Sequence, residues 1–348
     1  MTLTPRPDWQ GKTLFIDGLD ETRAGGLDGR TPLDRIRARL EKIPGTGRQR
    51  FRISCREADW LGASDQSSLE QVAPGNRIGV FRLDPLTSKQ IIDMVRAHRS
   101  DISPQQFVES ARKHNLEILL QNPQTLFLLV KAVGENSWPE SRDDVFRLAC
   151  EKLIIEPNVE HQVATRSRGR PKGDLFKAAG YLCAIQLISD VTGFSIDDST
   201  IPGAVGLNEI SWKNLPLRDV VQTRVFSAPE GVFLPVHRSI AEYLGSWFLA
   251  QTVREGLSVK RVLALMQGSD GGIVSGLRGL HAWLAFHLPE HRSTLCEFDA
   301  LGVTLYGAVG SFSVPEKRRL LEAIAVEIEH SYGHALGDWN TPPAIGLV

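Results

Sequence analysis

Residues 13 to 16, TLFI, are four β-prone residues that run straight into acids: Asp17, then Asp20 and Glu21 after Gly18 and Leu19. A run this short and apolar predicts a buried strand. The residues after it place that strand in a parallel sheet. TPLDRIRARLEKIPG has Thr31 as N-cap, Pro32 at the first helical position, Leu33, Ile36, Leu40 and Ile43 on one face, and Pro44-Gly45 as a stop. A second strand, RFRIS at 50–54, ends in Cys55-Arg56, and RIGVFRL at 77–83 predicts a third. Strand, helix, strand in this order calls for a right-handed crossover. Residues 1–85 are therefore expected to form a parallel α/β layer, with the acids at the carboxyl edge of the sheet, where ligands of such folds sit.

From Pro85 the period becomes helical. Thr87 and Gln90 predict a capping box, and Ser103 with Gln106 brackets Pro104 in the same way. Helices are expected at 124–134, 142–155 and 175–190, and the Arg-, Lys- and Gly-rich stretch 161–174 reads as a linker. Between 220 and 253 a hairpin turning at Ala228 to Gly231 precedes a helix with Ile240, Leu244, Trp247 and Phe248 on its buried side, the pattern of a winged-helix module. The amphipathic segments after 255 predict stacked α-helical repeats without a strict period. The expected division is 1–85 as a partial α/β nucleotide-binding domain, 86–160 as a helical lid, 161–254 as a winged-helix domain and 255–348 as the start of a repeat region. The chain is thus mostly α overall.

With 40 basic and 41 acidic residues among 348, the chain has no overall field that would draw it to nucleic acid or anionic lipid. Four scattered cysteines form no CxxC pair, which argues against a zinc site or a disulfide framework and for a reducing, cytoplasmic location. No signal peptide or apolar span is evident, so no membrane partner is expected.

LFIDGLDE resembles the extended Walker B of NACHT-type STAND P-loop NTPases, in which a small residue follows the magnesium Asp and paired acids stand three and four places on. Further resemblances come in the family's order. RFRISCREADW is similar to the sensor strand ending in Arg, FRLDPLTSKQIIDMV to the start of the lid, NPQTLFLLV to the proline-bearing nucleotide helix, and FLPVHRSIAEYLGSWFLA to the winged-helix signature. The resemblance implies a signalling ATPase that switches between a closed ADP form and an oligomer, in defence or innate-immune-like sensing, with a ligand read by the C-terminal repeats and self-association in the full-length form. Carried over, Asp17 would serve Mg²⁺ and Asp20 with Glu21 would serve hydrolysis. Arg56 would read the γ-phosphate, although Ser54-Cys55 precedes it where the family more often has Thr-Ser. Pro123 would line the adenine pocket, and His237 would reach the β-phosphate.

The phosphate-binding loop itself is missing. GKT at 11–13 imitates the end of a Walker A motif, but Arg6 stands five before Gly11 where Gly is needed, and a strand comes next where a helix must begin. IPGTGRQR has Arg48 in place of the lysine. That loop supplies most of the hold on a triphosphate. The expectation is a fragment of such a switch, truncated before Met1 and cut after TPPAIGLV, which binds MgATP poorly and does not turn it over. An alternative from another class is a non-catalytic helical-repeat interaction module on a degenerate NTPase scaffold. A metal-dependent nuclease using Asp17, Asp20 and Glu21 is a third reading, weakened because no lysine follows on a partnering strand.

Overall fold

The computed structural model describes residues 12–16, 32–42, 50–54, 63–81, 83–114, 116–133, 138–155, 171–189, 191–196, 203–210, 212, 214–228, 232–269 and 271–330. These are mostly α-helical with a few short strands. The chain divides into two compact units, one containing Met1–Leu83, Gly268–Arg278 and Ile324–Val348, the other Asp84–Gln267 and Gly279–Ala323. No described helix is long and apolar enough to cross a membrane.

In the first unit, β1 (Thr13–Ile16) pairs in parallel with β2 (Arg50–Ile53), Thr13 opposite Arg50 and Ile16 opposite Ile53. The connection carries α1 (Pro32–Glu41), whose Leu33, Ile36 and Leu40 recur at helical spacing and are all buried. They pack with Ile16 and with Leu69 and Val72, which lie at and after the end of α2 (Ala63–Glu70), while Leu14, Phe51, Ile53 and Ile78 close the edges of this small core. Strand alternation then decides the fate of Phe15. Leu14 and Ile16 point to the core, so Phe15 points away; it is 73% exposed, with the Arg52 guanidinium 5.6 Å from its ring centroid. The strand read as buried is thus buried on one face only.

Among the described residues of 77–83 the expected third strand is not formed. Its described residues are extended but outside any ladder, with Val80 half-exposed, Phe81 91% exposed and Leu83 fully so. β propensity describes a fit to a half-buried pleated surface, and without a neighbouring ladder it cannot define a strand.

In the second unit, α3 (Ser88–His98) begins with the expected capping box: Thr87 Oγ1 accepts from Gln90 N, and Gln90 Oε1 accepts from Thr87 N at 2.9 Å. In α4 (Pro104–Lys113), Ser103 caps Gln106 N. The single turn α5 (Glu117–Leu120) leads into α6 (Pro123–Ala132), α7 (Arg142–Ile155) and α8 (Lys172–Ser189). Short strands come next. β3 (Gly193–Ser195) pairs in parallel with β4 (Ala204–Gly206), and β5 (Phe226–Ser227) pairs antiparallel with β6 (Leu234–Pro235) beyond the turn α9 (Leu217–Val220). Phe194 and Phe233 exchange both backbone hydrogen bonds, at 3.0 and 2.8 Å, joining β3 to the strand that leads into β6. The hairpin runs into α10 (Arg238–Arg254). After it come α11 (Val259–Ala264), α12 (Arg278–His287), α13 (Arg292–Phe298), α14 (Ala300–Tyr306) and α15 (Val314–His330).

α8 and α10 form the central pair, and glycine allows their close approach. A Cβ on Gly180 would lie 2.7 Å from the Leu244 carbonyl oxygen, and one on Gly245 would lie 3.1 Å from Ala184 N. Ile240, Leu244 and Phe248 are buried as their spacing predicts, whereas Trp247 is half-buried and meets Phe176 edge-on at 4.7 Å. Cys150, Cys183 and Cys296 are free, buried thiols, and burial raises the pKa of each.

A buried polar cluster ties α7, α10 and α12 together. Glu242 is 3% exposed and lies 3.1 Å from Arg238 Nε. Arg142, at the start of α7, donates to the Gly307 carbonyl at 2.8 Å, and its guanidinium stands 5.6 Å from the Trp283 ring centroid. Desolvation brings the Arg142 pKa down to about 10, opposed by the Glu242 carboxylate. The Tyr243 hydroxyl donates to Asp143 at 3.0 Å, and burial holds that carboxyl above its ordinary range.

His287 packs edge-on against Tyr243 at 5.0 Å, and among the described residues its Nε2 has no hydrogen-bond partner. Burial, then the Arg254 charge, brings its pKa from 6.5 to about 3. The unfolded chain therefore binds a proton that the folded chain refuses. Stability is fully present above pH 6.5 and falls as pH drops toward 3, by up to about 1.4 kcal/mol per pH unit. Urea unfolding at pH 7 and pH 5 should differ by about 2 kcal/mol from this group, and His287→Phe should remove that part of the difference. An unchanged pH dependence in the variant would mean that the imidazole titrates normally.

Candidate functional site

Of the residues singled out from sequence, Pro123 and His237 are described, whereas Asp17, Asp20, Glu21 and Arg56 lie outside the described residues. β1 and β2, the strands that precede them in sequence, run parallel and end level, with Ser54 N donating to Ile16 O at 3.0 Å.

Pro123 is the first residue of α6, where its missing N–H costs no helical hydrogen bond. Asn122 caps the helix, its side-chain oxygen accepting from Gln124 N at 2.9 Å and Thr125 N at 3.2 Å. Leu126, Leu128, Leu129 and Val130 are buried. The opposite face, with Pro123 exposed and Gln124, Phe127 and Lys131 half-buried, is left to form a surface.

His237 is the N-cap of α10, in extended backbone (φ −145°, ψ 135°), and its carbonyl accepts from Ile240 and Ala241 at 3.1 Å. The hairpin fixes its position: Phe226 lies opposite Pro235 in the β5–β6 pair, and Val236 N donates to Val225 O at 2.9 Å immediately before it. The imidazole makes no capping bond and turns instead to α6.

The two helix starts meet. Gln124 Nε2 donates to Ser239 Oγ in a short hydrogen bond that joins positions 115 residues apart. His237 stands edge-on to Phe127 with centroids 5.9 Å apart, and His98, at the end of α3, does the same from a second side at 5.2 Å. The Lys131 ammonium lies 4.5 Å from the centroid of the same ring. Burial, and after it the Lys131 charge, lowers the His237 pKa from 6.5, so the imidazole is predominantly neutral at pH 7 and offers an N–H donor. Pro123 and His237 thus sit on neighbouring helix starts bound to each other, in a setting of positive charge.

Gln124, Phe127, Lys131, Ser239 and His98 do not stand out as site residues in the sequence. The i, i+3, i+7 spacing of Gln124, Phe127 and Lys131 on a helix otherwise apolar is the available signal. Among the described residues no group of three or more His, Cys, Asp or Glu side chains gathers to hold a metal ion. No protein-family model matches the chain, and no curated protein matches its sequence.

Proposed function

We propose that the chain is part of a nucleotide-dependent switch of the NACHT-type STAND class, and that its second unit holds the ADP-contacting face of that switch. The observation that supports this most is the meeting of α6 and α10, through Gln124–Ser239 and Phe127–His237. Two helices distant in sequence present the proline and the histidine that the resemblance assigns to one nucleotide, and both start there, with their positive dipole ends.

In this reading the neutral His237 donates an N–H to a phosphate oxygen, and the exposed ring of Pro123 packs on the base. The ligand ties α10 to α6 more firmly than Gln124–Ser239 does alone, and its release frees the hairpin and α10 to move. The Mg²⁺ role of Asp17, the hydrolytic roles of Asp20 and Glu21 and the γ-phosphate role of Arg56 are carried by the resemblance alone. When bound, the metal would neutralise phosphate charge. Without a phosphate-binding loop the chain is expected to bind nucleotide weakly and not to hydrolyse it.

The test is an ADP titration followed by the histidine C2–H resonances in NMR. The His237 signal should shift, with its pKa rising as phosphate charge arrives, and His237→Ala should weaken binding about tenfold. If ADP leaves that resonance unmoved while Asp17→Ala changes nothing, the switch reading fails, and a helical interaction scaffold is the better description.

A further inference from the structure

We propose, independently of the nucleotide reading, that the outer face of α15 is a self-association surface on which a second copy of this chain packs its own α15, antiparallel and about a two-fold axis.

One side of α15 is held by its own chain. Leu320 and Ile324 are buried, Ser313 Oγ and Ser313 N both donate to Glu316 Oε2, at 2.6 and 2.8 Å, and Arg292 pairs with the same carboxylate. Lys317 Nζ reaches the Gly310 carbonyl at 3.1 Å. The other side faces out. Val314, Pro315, Arg318, Glu322, Ala325 and Val326 are all exposed, Val314 by 73% and Val326 by 54%.

Single apolar residues on a surface are ordinary, and these would need no explanation but for their order. Counted outward from residue 320, the face matches itself: Arg318 and Glu322 lie two residues away, Pro315 and Ala325 five, Val314 and Val326 six. Turning a second copy end for end about that level sets Arg318 against Glu322 of the other copy twice over, and brings Val314 and Pro315 level with its Ala325 and Val326 at both ends. Opposite charges meet in the middle and apolar side chains flank them. A parallel arrangement would instead put Arg318 beside Arg318 and Glu322 beside Glu322, so the charges select the antiparallel one. Within one helix, a cation four residues before an acid is the weaker order for an ion pair, which leaves more to be gained across the two copies.

The face from Val314 to Val326 is about 18 Å long. One side of a helix this short buries less than the roughly 800 Å² per partner of a stable dimer, so association should be weak, with a Kd on the order of 100 μM.

Sedimentation equilibrium of the full chain, at concentrations up to about ten times that Kd, reads the association directly. Wild type should dimerise, whereas Arg318→Glu and Glu322→Arg, each of which opposes like charges, should each weaken the dimer at least about tenfold. An equal mixture of these two variants should recover it, because each copy then offers the charge that the other lacks. The double variant, Arg318→Glu with Glu322→Arg, should dimerise as wild type does. A wild type that stays monomeric would overturn the proposal and leave the face to its own chain or to another partner. Single variants that associate as tightly as wild type, or a mixture that does not recover, would overturn it by showing that the copies meet elsewhere. Circular dichroism of the variants, expected to match wild type, separates lost contact from lost fold.

Discussion

Glu242→Ala should lower the unfolding free energy by about 3–5 kcal/mol, the largest loss expected from any single polar side chain of the second unit. The carboxylate is almost wholly buried against Arg238, and its charge supports that of Arg142, whose pKa has already fallen to about 10 through desolvation. Truncation leaves Arg142 charged, with Nε shut away from solvent, beside the aromatic rings of Phe146 and Trp283. It also opens a void against Gly279, where an added Cβ would collide with the Glu242 carboxylate. Replacing Arg142 as well, Arg142→Met with Glu242→Leu, should recover part of the loss by removing the unmatched Arg142 charge, while Arg238 still lacks its carboxylate. Urea denaturation of the two single variants and the double variant forms a cycle that separates these contributions. A loss below about 1 kcal/mol for Glu242→Ala would show that Arg142 is supported by other groups.

Gly180→Leu should cost about 2–3 kcal/mol through overpacking. The contact that forbids a side chain is backbone: the Leu244 carbonyl would lie 2.7 Å from the new Cβ, with Phe248 Cβ at 2.8 Å, and neither can rotate away. α8 and α10 would have to separate, and with them the hydrophobic faces of Leu182, Ile240 and Leu244. Gly173, near the start of the same helix, has nothing within 4 Å of an added Cβ, so Gly173→Ala should instead stabilise by up to about 1 kcal/mol through helix propensity. Opposite signs in thermal denaturation at two glycines of one helix would verify the close approach; equal effects would contradict it.

Features set by local chemistry are legible in the sequence. The apolar spacing of α1, the Thr87–Gln90 box, the Ser103 cap, the limits of α7 and the hairpin before α10 each depend on a few neighbouring residues. What is not legible depends on distant partners. RIGVFRL has the composition of a strand, but composition cannot supply a ladder. β3 and β4 are three residues each and are defined by each other and by Phe233, so neither has a signature of its own. α2, ASDQSSLE, has polar or small residues all round apart from Leu69, and no periodicity announces it. For the candidate site, Pro123 and His237 stand out only through resemblance, whereas the basic ring around Phe127 arises from three elements whose meeting no short window of sequence encodes.

The parallel pair β1–β2 has a mechanical consequence. Among the described residues its buried side rests on Ile16, the stripe along α1, Leu69 and Val72, with Leu14, Phe51, Ile53 and Ile78 at the edges, while Phe15 and Phe81 face outward. Under heat, pulling or protease this layer would yield well before the interlocked helices of the second unit, so the parallel strand pair is the part of the described structure most easily undone.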